Sequence, residues 1–471
     1  DAFKPVTRYF DRITRPEQII QSFPTAVQTM LDPADCGPAC IALSQDIQGQ
    51  TFDYPEEFFK ETIHTIRRPR PDEFQIKTAA EKIKSSKNPI IISGGGVFYS
   101  DAMEELSKFA IKHNIPVTQT VMGYSTMKRD HSHYAGQIGG LGGKNTNLLA
   151  KKTDLAIAVG TKLADFTTGS WANFENESFK LVSINVSRFD ANKHLAQAVV
   201  GDAKVSLDDL SLALGDWKAG EEWNKKSQAE LKVWNEYVDK ECAPSNQEVP
   251  SYVQVIGAIY KNSDPSDIAV TAAGGLVGEV IQVWRPRELN THETEWGFSC
   301  MSYEISGALG IKMANPDKEV ISFVGDGSYL LNNTDIYSSV ITNNKLIIIV
   351  CDNGGFAVIN RLQLFKGGNE YNNLLKSSNT PGLVDIDFAK HAESMGAKSE
   401  HVSSISDLEE AFKRAKKSKV TYVISIKTHA YQWLEGSAFW DSPTLEVPTT
   451  KENKEALRLY KEGKSKQRQG V

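Results

Sequence analysis

Residues 320–355 read VISFVGDGSYLLNNTDIYSSVITNNKLIIIVCDNGG. An apolar run at 320–324 ends in Gly-Asp-Gly-Ser, and a second apolar run at 346–350 ends in Cys-Asp-Asn-Gly-Gly. A helical pattern separates the two runs, so the stretch predicts a strand–helix–strand crossover. Parallel strands that are joined in this way end at the same edge of a sheet, where open α/β sheets bind their ligands.

The residues after the two predicted strands have the chemistry of a metal and phosphate site. Asp326 and Asn353 are 27 positions apart, and their side chains carry the oxygen ligands that Mg²⁺ prefers. Gly325 and Gly327 leave room for a diphosphate close to the backbone. The hydroxyl of Ser328 and the first amides of the following helix can donate hydrogen bonds to phosphate oxygens. The stretch therefore predicts a site for Mg²⁺ and a diphosphate.

This pattern resembles the coenzyme motif of the acetohydroxyacid synthase-like superfamily, whose members depend on thiamine diphosphate (ThDP). The resemblance implies that Asp326, Asn353 and the backbone carbonyl of Gly355 bind Mg²⁺, and that the metal binds the coenzyme's diphosphate. Residues 297–310 resemble the superfamily's glycine-rich loop and the helix after it. That likeness implies a coenzyme contact at Ser299 and a large apolar prop at Met301, which bends the coenzyme.

A third segment, residues 271–277, resembles the loop that contacts the diphosphate in the superfamily. The synthases usually carry Gln and His in this loop, whereas this chain has Gly275 and Leu276. These two residues can contact phosphate only through the backbone. The departure argues against a synthase reaction and leaves ThDP binding as predicted.

Strand-like apolar runs alternate with helical patterns in two blocks of the chain, which is typical of parallel sheets buried on both faces. We therefore predict an α/β fold with parallel sheets flanked by helices, in the multi-domain architecture of ThDP enzymes. The predicted parts are listed in chain order: a carboxy-terminal remnant of the pyrimidine-binding domain (1–66), a central Rossmann-like α/β domain (67–214), a polar linker with an amphipathic helix (215–250), and the α/β domain that binds Mg²⁺ and the ThDP diphosphate, with a tail (251–471).

The resemblance assigns the catalytic glutamate to the amino-terminal pyrimidine-binding domain, where it bonds the aminopyrimidine of the coenzyme. Residues 1–61 resemble only the end of that domain, so no residue of this sequence is assigned the catalytic role. In the superfamily the active site forms between two subunits, which implies a homodimer or homotetramer.

Residues 291–301 and 355–363 resemble the trihydroxycyclohexane-1,2-dione hydrolases of inositol catabolism. Those enzymes open a cyclic diketone by adding water and cleaving a C–C bond, which gives a deoxy-glucuronic acid. The resemblance implies the same ThDP- and Mg²⁺-dependent hydrolase activity here. His292, Glu295 and Asn360 are its candidate substrate-side residues.

Three alternatives stay open at this point: an acetolactate synthase-like transferase, a 2-oxo acid decarboxylase, and a non-catalytic coenzyme-binding protein. The formal net charge of −6 argues against a nucleic-acid partner. The chain has no apolar stretch of about 18 residues, so we expect no membrane span. Five cysteines in so long a chain do not suggest a disulfide framework, and we expect a soluble, cytoplasmic protein.

Overall fold

The computed structural model describes residues 1–245, 247–380, 382 and 384–468. Asn246 of the predicted linker, two positions in the predicted carboxy-terminal domain (381 and 383) and the last three residues of its tail lie outside the described residues. Within the described ranges, no helix combines the length and apolar character needed to cross a bilayer.

The structure contains β-strands in the following order: β1 (Tyr9–Ile13), β2 (Ala39–Leu43), β3 (Pro89–Ser93), β4 (Val117–Gln119), β5 (Tyr134–Gln137), β6 (Leu155–Val159), β7 (Lys180–Asn185), β8 (Gln197–Val200), β9 (Ile268–Thr271), β10 (His292–Thr294), β11 (Val320–Gly325), β12 (Ile347–Asp352), β13 (Lys398–Val402) and β14 (Tyr422–Lys427).

The α-helices are α1 (Ile19–Leu31), α2 (Gln45–Gln48), α3 (Glu73–Lys84), α4 (Gly95–Tyr99), α5 (Met103–His113), α6 (Lys144–Lys152), α7 (Asp165–Thr168), α8 (Arg188–Ala191), α9 (Ala203–Leu214), α10 (Glu221–Glu241), α11 (Tyr252–Asn262), α12 (Gly275–Val283), α13 (Tyr303–Ala314), α14 (Asp326–Leu331), α15 (Asp335–Ile341), α16 (Ala357–Phe365), α17 (Phe388–Ser394), α18 (Ile405–Lys417) and α19 (Lys451–Ser465).

Two six-stranded sheets organise the molecule. The first has the strand order β5-β4-β3-β6-β7-β8, and the second has the order β10-β9-β11-β12-β14-β13. All neighbouring strands in both sheets run parallel. A separate parallel pair, β1 with β2, lies in the amino-terminal part. The predicted α/β class with parallel sheets and flanking helices is confirmed.

The central strands are buried because helices cover both faces of each sheet. In the second sheet, alternate residues of β11 and β12 enter different cores: Phe323 and Ile349 pack with α11 and α18, whereas Val324 and Val350 pack with α13 and α17. Successive side chains of a strand point to opposite faces, so a strand between two helical layers must be apolar throughout. This requirement explains the uninterrupted apolar runs of the sequence.

Helix α10, which occupies most of the predicted linker, belongs to the cores of both sheets. Trp223 and Leu231 pack in the core of the first sheet. Trp234 and Val238 pack in the core of the second, and the Trp234 Nε1 donates a 3.0 Å hydrogen bond to Gln282 Oε1. The helix therefore fixes one sheet against the other.

We expect Trp234→Ala to destabilise the protein by about 3–5 kcal/mol, because it leaves a cavity in the core that α10 shares. The neighbouring Val233 is exposed, so Val233→Ala is the matched control and should change stability little. Urea unfolding followed by circular dichroism measures both variants. Equal midpoints for the two variants would contradict the bridging role of α10.

Candidate cofactor and metal site

The predicted site residues follow three neighbouring strands of the second sheet and lie at one edge of it. β11 lies between β9 and β12, and Gly325 pairs with Cys351 across the β11–β12 boundary. Asp326 therefore begins α14 at the same edge where Asn353 follows β12. The loop after β9 ends at the same edge and continues into α12.

Among the buried oxygen atoms at this edge that have no hydrogen-bond partner within the described residues, two belong to the predicted metal ligands. They are Asp326 Oδ1 and Asn353 Oδ1, and both atoms are buried. Asn353 Nδ2 donates to the hydroxyl of Tyr252, which leaves the amide oxygen on the other side. Buried polar atoms without a partner cost free energy, and an oxygen-binding cation would satisfy both atoms. The residues present thus fit the Mg²⁺ that the sequence predicts.

The electrostatics of Asp326 agree with a cation site. Burial raises the pKa of Asp326 to about 6, and the negative charge of Asp352 acts in the same direction. The backbone amides of Asn353 and Gly355 oppose this rise of the pKa. A bound cation would favour the ionised form of the Asp326 carboxyl.

Gly355 has a backbone conformation that other residues rarely adopt, with φ of +141°. A side chain at this position would also overlap the backbone of Asn373 and Leu374, and Gly355 forms an antiparallel bridge with Leu374. The structure therefore requires glycine here. Gly325 ends β11 and Gly327 is the second residue of α14, so both lie at the same sheet edge.

Glu304 connects the loops of the site, although the sequence did not single it out. Its Oε2 accepts a 2.8 Å hydrogen bond from Ser328 Oγ, which in turn accepts a 2.6 Å hydrogen bond from the Ser302 amide. Only 1% of Glu304 is exposed. Burial raises the pKa of the Glu304 carboxyl, and the amides of Ala273 and Ser302 oppose the rise. In this structure Ser328 is thus engaged by Glu304.

The loop before α13 is held by Glu295. Its Oε1 accepts from the Phe298 amide at 2.8 Å, and its Oε2 accepts from the Cys300 amide at 2.6 Å. Ser299 has a positive φ of 53°, and Met301 is half-buried immediately before the helix. The turn thus sets the backbone path that leads to Met301.

In the loop after β9, Gly275 begins α12 and lies directly against the ring of Trp433, where a side chain would overlap the indole. Leu276 turns its side chain into the core of the second sheet. Any phosphate contact by these two residues would therefore use the backbone, in keeping with the prediction from the sequence.

The three candidate substrate-side residues lie in different surroundings. His292 is buried edge-on against the Tyr124 ring, and burial lowers its pKa to about 3. Asn360 is buried in α16 and donates a 2.9 Å hydrogen bond to Glu370 Oε1. Glu295 is occupied by the loop amides described above. Contact of the three with substrate stays a prediction.

A cavity of about 480 Å³ adjoins the predicted coenzyme residues, with Gly275 and Ser299 in its wall. It is also lined by Glu279 of α12 and Arg361 of α16, whereas His292, Glu295 and Asn360 are not part of its lining. The cavity is large enough for a small ring substrate beside the predicted coenzyme site.

Sequence reasoning missed three groups that shape the site: Tyr252, Glu304 and Asp352. Asp352 is buried and forms a 2.6 Å ion pair with Lys427. Because Asp352 directly precedes Asn353 in the sequence, it could have been predicted as part of the site. Tyr252 lies 101 positions from the asparagine that it contacts, so no local pattern could reveal that pair.

Two family models match the chain. One is described as thiamine pyrophosphate enzyme, central domain, and matches residues 76–210. The other is described as thiamine pyrophosphate enzyme, C-terminal TPP binding domain, and matches residues 272–426, which include Asp326 and Asn353. Thiamine pyrophosphate is another name for ThDP, so the predicted superfamily and coenzyme are confirmed.

The chain is also similar to curated proteins named 3D-(3,5/4)-trihydroxycyclohexane-1,2-dione hydrolase. The protein from Clostridium tetani is 38% identical over 472 residues, which cover 93% of this chain and 73% of the relative. The protein from Clostridium perfringens is 37% identical over 468 residues, with the same two coverages. The protein from Bacillus licheniformis is 36% identical over 490 residues, which cover 98% of this chain and 76% of the relative.

Asp326→Ala tests the metal assignment. We expect the variant to lose Mg²⁺-dependent ThDP binding. Loss of a residue that only hydrogen-bonds to a metal ligand costs about 10- to 100-fold in metal affinity, and loss of a direct ligand should cost more. Asp317 is exposed, and Asp317→Ala is the control that should bind as the parent protein does. Titration calorimetry with and without Mg²⁺ measures the affinity. Tight, metal-dependent binding by Asp326→Ala would refute the assignment.

Proposed function

The chain belongs to the ThDP-dependent family of 3D-(3,5/4)-trihydroxycyclohexane-1,2-dione hydrolases, and from this premise we propose that it opens the ring of that diketone with water in inositol catabolism. The product is a 5-deoxy-glucuronic acid. The similarity to these hydrolases over 93% or more of the chain carries the proposal. The buried, unpartnered oxygens Asp326 Oδ1 and Asn353 Oδ1 at one sheet edge support the metal site that the coenzyme needs.

The chain's own residues would hold the coenzyme through the metal. Asp326, Asn353 and the carbonyl of Gly355 would bind Mg²⁺, and the backbone at Gly275 and Leu276 would face the diphosphate. Met301 would support the coenzyme in its bent shape. When bound, ThDP supplies a carbon nucleophile that adds to a carbonyl and takes up electrons as the C–C bond breaks.

The overall reaction balances with one water molecule. The bond between the two carbonyl carbons breaks, one of these carbons gains oxygen and becomes a carboxylic acid, and the other gains hydrogen and becomes an aldehyde. The neutral substrate thereby becomes an anion at neutral pH, because a carboxylic acid ionises well below pH 7. The site must therefore accept a neutral ring and release a charged chain.

We also propose a homodimer or homotetramer. Exposed apolar side chains gather on the consecutive helices α13, α14 and α15, with Met313 61%, Leu331 61% and Ile341 62% exposed. Gly310 of α13 faces open space, so another backbone can approach that helix closely. Exposed apolar side chains on three consecutive helices support a protein–protein interface at this surface.

We further propose that the enzyme works in the cytoplasm. All five cysteines are free thiols, which suits a reducing compartment. The proposed substrate is a small metabolite, and we propose no nucleic-acid partner.

Ring opening by the holoenzyme tests the function. We expect acid release from trihydroxycyclohexane-1,2-dione that requires both ThDP and Mg²⁺, measured by titration at constant pH. Pyruvate is the comparison substrate, with acetolactate formation and CO₂ release as the readouts of a transferase and a decarboxylase. Turnover of pyruvate without ring opening would overturn the hydrolase proposal.

The proposed interface is tested by Met313→Asp, which puts a charge on the apolar face of α13. We expect the variant to shift toward a smaller species in light scattering, because burying an unpaired carboxylate is costly. Leu212 is an exposed apolar residue on α9, and Leu212→Asp is the matched control that should leave the molar mass unchanged. A parent protein that is monomeric at micromolar concentration would contradict the proposal.

A further inference from the structure

The cavity beside the predicted coenzyme residues contains polar groups that take no part in the metal and coenzyme site. Its wall combines the aromatic side chains of Phe166, Trp296 and Trp440 with the charged groups of Glu279 and Arg361. Aromatic faces with a few placed polar groups are typical of sites for small polyhydroxylated molecules. The wall also contains Lys366 and Glu435, so four charged residues decide which molecule of this class fits.

The guanidinium N–H groups of Arg361 donate no hydrogen bond within the described part of the chain. Its side chain is exposed in α16, and the guanidinium carbon lies 4.9 Å from the centre of the Trp433 ring. Among the described residues, no carboxylate lies within ion-pair distance of it and no acceptor forms a hydrogen bond with it. The other cation of the cavity wall, Lys366, differs because it donates to the carbonyl of Ser442.

Glu279 is the acidic group of the same cavity, and only 4% of it is exposed. Both carboxyl oxygens lie 3.3 Å from the Leu434 amide, which donates to them. Burial raises the pKa of Glu279 to about 7, whereas the Leu434 amide and the charge of Arg361 oppose the rise. The group can exchange hydrogen bonds with hydroxyls in either protonation state.

The neighbouring Gln282 is already satisfied. Its Nε2 donates to the carbonyl of Leu141 at 2.5 Å, and its Oε1 accepts from Trp234. Of the four charged residues of the wall, Lys366 is engaged by Ser442 and Glu435 carries the same charge as Glu279. We therefore assign ligand recognition to Arg361 and Glu279.

We propose that this cavity binds the ring-opened product, with Arg361 holding its carboxylate and Glu279 bonding its hydroxyl groups. The inference rests on the proposed hydrolase function, which makes a polyhydroxylated carboxylate from a neutral ring. A planar guanidinium binds a carboxylate through two parallel, charge-assisted hydrogen bonds, and a neutral diketone lacks the negative charge that strengthens them. Arg361 would thus distinguish product from substrate.

The test is calorimetric titration of the enzyme loaded with ThDP and Mg²⁺, using D-glucuronate and the neutral D-glucose as matched ligands. We expect glucuronate to bind more tightly than glucose. Arg361→Gln should weaken glucuronate about tenfold or more and leave glucose unchanged, because a charge-assisted pair is lost only for the acid. Arg361→Lys keeps the charge without the planar fork and should give an intermediate loss.

Two further variants serve as controls. Glu279→Gln should weaken both sugars alike, because it changes the hydroxyl contacts only. Arg458 lies on α19 in ion pairs with Glu455 and Glu462, and Arg458→Gln should leave both affinities unchanged. The ThDP affinity of every variant should equal that of the parent enzyme, which shows that the fold is intact.

Equal affinity of glucuronate for the parent enzyme and Arg361→Gln would overturn the proposal, and so would the absence of glucuronate binding to the parent enzyme. The titration needs no turnover. An enzyme that binds glucuronate through Arg361 but does not open the diketone would therefore refute the hydrolase function while upholding the carboxylate site.

Discussion

Two buried oxygens without hydrogen-bond donors, Asp326 Oδ1 and Asn353 Oδ1, set the constraint on which the rest of the site depends. Burying a polar atom without a partner is unfavourable, so such a pair must be held by the surrounding structure. Here the parallel register of β11 and β12 delivers both residues to the same edge. The unfavourable arrangement becomes favourable when a cation supplies the missing partner.

The layers around the sheet make that arrangement rigid. Helices cover both faces of β11 and β12, and their alternating side chains pack into two separate cores. A shift of one strand by a single residue would move every side chain to the wrong core. The strand ends, and the candidate ligands that follow them, are therefore fixed by packing that has no chemical role of its own.

The sheet edge and the neighbouring cavity present different kinds of polar group. At the sheet edge, backbone atoms and the buried Glu304 hold the coenzyme loops together. In the cavity, Glu279 and Arg361 have their polar groups available to a small molecule. The first arrangement lies within residues 272–426, which match the C-terminal TPP binding domain model. Helix α10 contributes to both cores and so keeps the central-domain wall of the cavity next to α12.

The sequence by itself determined the features that depend on local pattern. Apolar runs fixed the parallel strands, and the glycines and polar residues after them marked Asp326 and Asn353, because strand ends and crossovers obey short-range rules. Only the tertiary structure decided which distant residues meet them. Tyr252 reaches Asn353 and Glu304 reaches Ser328 across 101 and 24 positions, through packing that no periodicity encodes. It also decided that His292 is buried against Tyr124, and that Arg361 and Glu279 share one cavity, because these placements depend on how whole elements pack.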